Sequence, residues 1–126
     1  MNKITWKYVK PLKDKSAVTS FLQEHNVNLP DSLVNCLIEN NGGRPSTFIF
    51  NTSKAKEYVF QSLFSYNHDD KNNIYRIYSS MFENSVIYPI GIDAAGNIIC
   101  YHQKRKRYML WNHENDKYED IYIDDL

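Results

Sequence analysis

The sequence predicts an α+β fold: an antiparallel sheet of about five to six strands, with two N-terminal helices and one mid-chain helix packed around it. Helical spacing of apolar residues occurs in the first third and the middle of the chain. In the last third, apolar and polar residues alternate in short segments separated by polar turns. Ten Tyr and six Phe also favour a sheet over a helix bundle. With 126 residues, we expect one domain spanning residues 1–126.

Two helices are predicted near the N-terminus. The first covers residues 14–25, with Asp14 or Ser16 as its N-cap. Its apolar face comprises Val18, Phe21, Leu22 and His25. The second follows in "LPDSLVNCLIENNGG", where Pro30 suits the first helical position and Gly42 the left-handed residue beyond the end. Its buried stripe comprises Leu33, Val34, Leu37 and Ile38.

The middle of the chain predicts two strands and a third helix. The strands are expected at residues 46–50 and 59–64, and the polar loop "NHDDKNN" follows, with Asp70 or Asn72 as a helix cap. The third helix is predicted from Ile74, Ile77, Tyr78, Met81 and Phe82.

The last third predicts an antiparallel meander. Strands are expected at residues 86–93, 98–102 and 107–112, and "YEDIYID" alternates again at 118–124. Trp6 and Trp111 are expected in the core, with a contact role as the alternative.

Charge and cysteine content narrow the functional class. Fifteen basic residues balance fifteen acidic ones, which argues against a nucleic-acid partner. Cys36 and Cys100 lie in apolar runs without a disulfide or metal-binding pattern, and no stretch resembles a signal peptide or membrane span. We therefore expect a cytoplasmic protein without a membrane association. Residues 113–126 hold six acids against one Lys, which fits either a solvated end or a face for a basic partner.

Candidate chemistry is sparse. Cys100 and His102 share one face of a predicted strand, about 6.5 Å apart with parallel side chains, which suits a nucleophile and its base poorly. His102 and His113 would need to meet across a hairpin to bind a metal, and Asp93 with "HQK" lacks the carboxylates of a nuclease. The basic run at 104–107 reads as a hairpin turn, with a nucleic-acid or targeting tag as the alternative. We predict no catalytic, cofactor-binding or metal-binding residues.

Four motifs in order resemble the SUKH superfamily, specifically its Smi/Knr branch. They are "WKYVKPL" at 6–12, "LPDSLVNCLIENNGG" at 29–43, "YPIGIDAAGNIICYH" at 88–102 and "MLWNHEN" at 109–115. The chain departs from the family pattern at His102, where an acidic residue is frequent. It departs again at "IYIDDL", where a serine-containing hydrophobic helix is frequent.

The resemblance implies an α+β domain that binds a protein and has no catalytic centre or cofactor. Bacterial members are typically immunity proteins that neutralise a cognate polymorphic toxin domain, and others are regulatory scaffold modules. We expect an immunity protein that binds and neutralises a cognate toxin domain, with a regulatory scaffold module that has a non-toxin partner as the alternative; no oligomeric state is assigned. The expected contact residues lie in the acidic C-terminal segment: Asp116, Tyr118, Glu119, Asp120, Tyr122, Asp124 and Asp125. The alternative for Tyr122 is that it packs under the sheet.

Overall fold

The computed structural model describes residues 5–46, 49–52 and 57–123. It confirms the α+β fold predicted from the sequence. The helices among the described residues are α1 (Ala17–Glu24), α2 (Asp31–Glu39) and α3 (Ile74–Ile77), and α3 continues as a π-helical turn at Tyr78–Phe82. None of these helices has the length and apolar character needed to cross a bilayer.

The described residues form a curled antiparallel sheet and a separate two-stranded one. The small sheet pairs β1 (Trp6–Lys7) with β2 (Arg44–Pro45). The larger sheet comprises β3 (Ile49–Thr52), β4 (Glu57–Leu63), β5 (Ile87–Asp93), β6 (Ile98–His102), β7 (Arg107–Asn112) and β8 (Lys117–Tyr122). Strands β4 to β8 pair in chain order, and β3 pairs with both β4 and β8, which closes the sheet.

The meander is the part of the fold that the sequence predicts best. Strands β6 and β7 have the predicted bounds, and β5 begins one residue later than predicted. Strand β8 begins one residue earlier than predicted and ends at Tyr122, and residue 124 of the predicted strand lies outside the described residues. The expected strand at 46–50 is wrong in its start, because Arg44–Pro45 pairs with Trp6–Lys7 and the next strand begins at Ile49. Residues 47 and 48 lie outside the described part of the chain. Two-residue strands carry no alternation from which a sequence could predict them.

Helices α1 and α2 begin and end close to the expected residues. Ser16 occupies the N-cap of α1, but its side chain makes no capping bond. Instead the Asp14 carboxylate accepts hydrogen bonds from the Ser16 amide (2.9 Å) and hydroxyl (2.7 Å). Pro30 lies just before α2 rather than in its first turn. Gly42 has a φ of 65°, so the left-handed conformation predicted for it is confirmed.

The third helix differs from its prediction in two respects. Its N-cap is Asn73, whose side chain accepts from the Arg76 amide at 3.0 Å, so the expected capping by Asp70 or Asn72 is wrong. Met81 is 43% exposed although it was expected on the buried face. The wider π-helical turn changes the angular spacing of side chains, so Tyr78 and Phe82 remain buried while Met81 turns outward.

A buried polar network ties three segments together around Asn41. The Asn41 amide nitrogen donates to the Lys10 carbonyl (2.8 Å) and the Ser65 hydroxyl (3.0 Å), and its oxygen accepts from the Tyr66 amide (2.7 Å). The Ser65 hydroxyl in turn donates to Asp70 at 2.5 Å. This network fixes the loop after β4 against the end of α2 and the N-terminal segment, since a buried amide has few other partners.

Candidate partner-binding surface

The expected contact residues in β8 divide between the two faces of the sheet. Side chains alternate along a strand, so Tyr118, Asp120 and Tyr122 share one face while Glu119 and Ile121 share the other. Tyr118 is 40% exposed and Tyr122 is 69% exposed, whereas Glu119 is 5% exposed. The alternative that Tyr122 packs under the sheet is therefore wrong. Asp124 and Asp125 lie outside the described residues.

Strand β7 adds side chains to the exposed face of β8. Trp111 is the register partner of Tyr118, and its indole nitrogen donates to the Asp116 carboxylate at 2.7 Å. Arg107 donates to the Asp120 carboxylate at 3.1 Å, in an ion pair whose two side chains are 54% and 38% exposed. We call the group Trp111, Asp116, Tyr118, Asp120 and Tyr122 the β7–β8 face. Trp111 is half-buried, so its expected core position is met in part.

The β7–β8 face carries two carboxylates, Asp116 and Asp120, beside partly buried aromatic rings. Partial burial raises the pKa of the Tyr118 hydroxyl, with smaller contributions from the Cys100 thiol and the Asp116 carboxylate. The hydroxyl therefore keeps its proton at neutral pH and remains a hydrogen-bond donor. The sequence predicts Trp111 in the core, and the register of β7 against β8 places it beside Tyr118.

Glu119 is a buried carboxylate on the inner face of the sheet. It lies opposite Leu110 of β7, itself fully buried, and its own strand places Ile121 beside it. Its Oε2 atom accepts no hydrogen bond from the residues that the structure describes. A carboxylate oxygen removed from water without a donor is destabilising, and a partner could not reach Glu119 without moving β8.

We expect Glu119→Leu to raise the free energy of unfolding by about 1–3 kcal/mol, because an apolar side chain of similar size removes the unpaired oxygen. Urea denaturation measures the change. Glu114→Leu serves as the matched control, since Glu114 is exposed in the adjacent turn, and we expect it to change the stability by less than about 0.5 kcal/mol. Destabilisation by Glu119→Leu would contradict the assignment of an unpaired carboxylate.

Cys100 and His102 have structural environments. Cys100 is fully buried, its thiol donates to the Ile98 carbonyl at 3.5 Å, and burial raises the pKa of the thiol well above its usual value. His102 is half-buried, and its Nδ1 atom accepts from the Arg105 amide at 3.1 Å within the β6–β7 turn. The burial of Cys100 and the partial burial of His102 confirm the expectation of a core cysteine and a rim histidine. A buried thiol with a raised pKa is also a poor nucleophile.

The other candidate ligands are apart from one another or already bonded. His102 pairs with Arg107 at one end of the β6–β7 hairpin, whereas His113 lies at the other end and contacts the Ala95 carbonyl at 2.9 Å, so the two imidazoles do not meet. The buried Asp93 carboxylate accepts from the amides of Ala95 (2.9 Å) and Asn97 (2.7 Å). Across residues 5–46, 49–52 and 57–123, no three such side chains converge to hold a metal ion.

Comparison with known proteins gives one family. The family model SUKH_6, described as SMI1-KNR4 cell-wall, matches residues 16–125, which is nearly the whole chain. The match includes the motifs at 29–43, 88–102 and 109–115, but not the N-terminal "WKYVKPL". No curated protein and no solved structure gives a significant match.

Proposed function

Because the chain belongs to the SUKH family of the SMI1-KNR4 type, we propose that it is a non-enzymatic cytoplasmic binding protein, and specifically an immunity protein that neutralises a cognate toxin domain. The observation that carries the proposal is the β7–β8 face, where two exposed tyrosines and a tryptophan surround two carboxylates. The proposal assigns no catalytic role to Cys100 or His102, since both are engaged in the scaffold.

The composition of the β7–β8 face suits a protein partner. Tyr and Trp dominate the binding energy of many interfaces because they bury a large area at little cost in side-chain entropy. The exposure of Tyr122 and Tyr118 leaves such area available on this face. Two exposed aromatics on the same face of one strand are more informative than a single one, since scattered apolar residues are common on protein surfaces.

Charge favours a basic surface as the partner. Asp116 and Asp120 lie on the β7–β8 face, and Arg107 neutralises part of the charge of Asp120. A toxin domain that attacks nucleic acid typically presents a basic cleft, and acidic side chains around an aromatic centre steer such a surface into contact. Occupation of the cleft would block the toxin without any reaction by this chain.

The test is neutralisation of the protein encoded beside the gene for this chain. Its C-terminal domain is expressed from an inducible promoter, and survivors are counted with and without this chain. We expect rescue by the wild type. Tyr118→Ala with Tyr122→Ala should abolish rescue and raise the Kd of the purified complex at least tenfold, which corresponds to about 1.4 kcal/mol.

The control for the aromatic variant is Tyr8→Ala, because Tyr8 is 76% exposed in the N-terminal segment. A charge variant, Asp116→Asn with Asp120→Asn, should slow association and weaken the salt dependence of binding. Its control is Glu83→Gln, which removes an exposed acid after the third helix. Toxicity without rescue would contradict immunity and favour a regulatory scaffold module, whereas rescue that survives both variants would exclude the β7–β8 face.

A further inference from the structure

A second surface lies between α1 and the segment that follows β4. It is a groove of about 230 Å³ that is open to solvent. Its lining includes Ala17 and four rings: Phe21, Tyr66, His68 and Tyr75. The His68 ring stacks on Tyr75 with 3.6 Å between centroids, and Phe21 meets Tyr75 edge-on at 5.4 Å. Phe21 and Tyr66 are buried and form its floor, whereas the half-buried Tyr75 and the exposed His68 present the accessible aromatic surface.

Hydrogen bonds hold these rings in place. The Tyr75 hydroxyl donates to the Tyr66 carbonyl at 2.7 Å, and the buried Tyr66 hydroxyl bonds the Tyr88 hydroxyl at 2.6 Å. Asn67 fixes the same segment by donating to the Pro11 carbonyl and accepting from the Lys13 amide. Aromatic side chains held in this way bind at a lower entropic cost than mobile ones.

Two carboxylates flank the rings. Asp14 precedes α1 and Glu24 ends it; both are exposed and line the groove, on the side of α1 that also carries Ala17 and Phe21. Partial burial and the negative charges of Asp14 and Glu24 together raise the pKa of the Tyr75 hydroxyl, which indicates that both carboxylates act on the same ring. The bonds from Ser16 lower the pKa of Asp14, which is therefore ionised at neutral pH.

Basic side chains of the described residues do not pair with these carboxylates in the groove. None of the residues that line the groove, all of which belong to the described part of the chain, is Lys or Arg. Lys13 lies nearby but forms an ion pair with Asp69. Lys15 is exposed at the start of α1 and does not line the groove. Apart from His68, the ionisable acidic and basic side chains that line the groove are therefore the carboxylates of Asp14 and Glu24.

We propose that this groove binds the guanidinium group of an arginine side chain presented by the protein partner. A guanidinium is planar and weakly hydrated, so it stacks on aromatic rings and donates to carboxylates at the same time. A lysine ammonium would meet the same charges but lose more hydration, and an anionic ligand would be repelled by Asp14 and Glu24. The inference rests on the proposed function because a partner protein supplies the arginine, and it gives this partner a second contact besides the β7–β8 face.

The probe for the test is N-acetyl-arginine methylamide, titrated into the full-length protein at pH 7.5 while amide chemical shifts are recorded. We expect saturable shifts at Ser20, Glu24, Asn67 and His68. The neutral isostere N-acetyl-citrulline methylamide should bind at least tenfold more weakly. Glu24→Gln and Asp14→Asn should each raise the Kd of the arginine probe at least threefold, and Tyr75→Leu should do the same.

Two controls separate recognition from general effects. Glu39→Gln removes an exposed acid from α2, away from the groove, and should leave the Kd unchanged. Tyr75→Phe keeps the ring and its contacts with His68 and Phe21 but removes the hydroxyl, so it should keep the Kd within twofold of the wild type. Equal binding of the arginine and citrulline probes, or no saturable shift, would overturn the inference.

Failure of this proposal is distinguishable from failure of the immunity proposal. Rescue in the neutralisation assay without arginine binding would leave immunity standing and remove the groove from the interface. Arginine binding without rescue would support the groove and direct the search to a different basic partner. Loss of rescue in Glu24→Gln, together with a weaker Kd for the arginine probe, would place the groove in the complex.

Discussion

Asn41→Ala is expected to lower the free energy of unfolding by about 2–4 kcal/mol, because it leaves the buried Tyr66 amide and the Lys10 carbonyl without their partner. The Ser65 hydroxyl suffers less, since it keeps its bond to Asp70. Each unsatisfied buried group costs about 1–3 kcal/mol. The expected loss lies in the lower part of the sum for two such groups, because water can reach the carbonyl of the exposed Lys10. Urea denaturation followed by circular dichroism measures the loss.

The control for this variant is its neighbour. Asn40→Ala removes an amide whose side chain makes a weak contact, 3.7 Å from the Cys36 sulfur, so a change below about 1 kcal/mol is expected. Hydrogen exchange supplies a local readout, since the Tyr66 amide should exchange faster in Asn41→Ala than in Asn40→Ala. Equal losses in the two variants would contradict the structural role of Asn41.

Gly91→Ala should destabilise the fold by about 1–3 kcal/mol through steric crowding. A Cβ atom at Gly91 would lie 2.5 Å from the Ser62 carbonyl oxygen and 3.0 Å from a ring carbon of Phe60. Both strands are irregular at this point, since the register shifts between Phe60 and Ser62 in β4 and between Pro89 and Gly91 in β5. Because the close neighbour is backbone, a rotamer change cannot relieve the contact, and the strands must separate.

Gly96→Ala is the informative comparison for Gly91→Ala. Gly96 has a φ of 88° but open space, with the nearest atom 3.9 Å from the added Cβ, so its cost comes from backbone conformation alone. Gly91 lies in a strand, and its cost comes from the close approach of β4. We expect the larger loss at Gly91, measured as a shift in the denaturation midpoint; a larger loss at Gly96 would mean that β4 and β5 separate easily at this point.

The two candidate surfaces have a common chemistry. The β7–β8 face combines Trp111, Tyr118 and Tyr122 with the carboxylates of Asp116 and Asp120. The groove beside α1 likewise combines aromatic rings with Asp14 and Glu24. Aromatic area with flanking carboxylates suits a basic protein surface, and this combination exists although the whole chain carries equal numbers of acids and bases. The local distribution of charge, and not the net charge of the chain, therefore favours a basic partner for both surfaces.

Several features of the fold could be predicted because their signals are local. The strands at 98–102 and 107–112 follow from alternation between polar turns, and the left-handed conformation of Gly42 follows from its place after a helix. The motif resemblance spans most of the chain and leads to the same family as the match over residues 16–125. For the two strands and for Gly42, the residues that determine the local structure are close neighbours in the sequence.

Other features depend on contacts between distant segments. Glu119 and Asp120 look equivalent in an acidic run, but closure of the sheet places Glu119 on its inner face and Asp120 on its outer face. The groove joins residues of α1 to residues more than 40 positions later, and the pairing of Trp6–Lys7 with Arg44–Pro45 is equally remote. The sequence by itself determined the family, the α+β class and the strand pattern, because short-range periodicity encodes them. Only the tertiary structure decided which acids and aromatics share a surface, because packing between segments sets that arrangement.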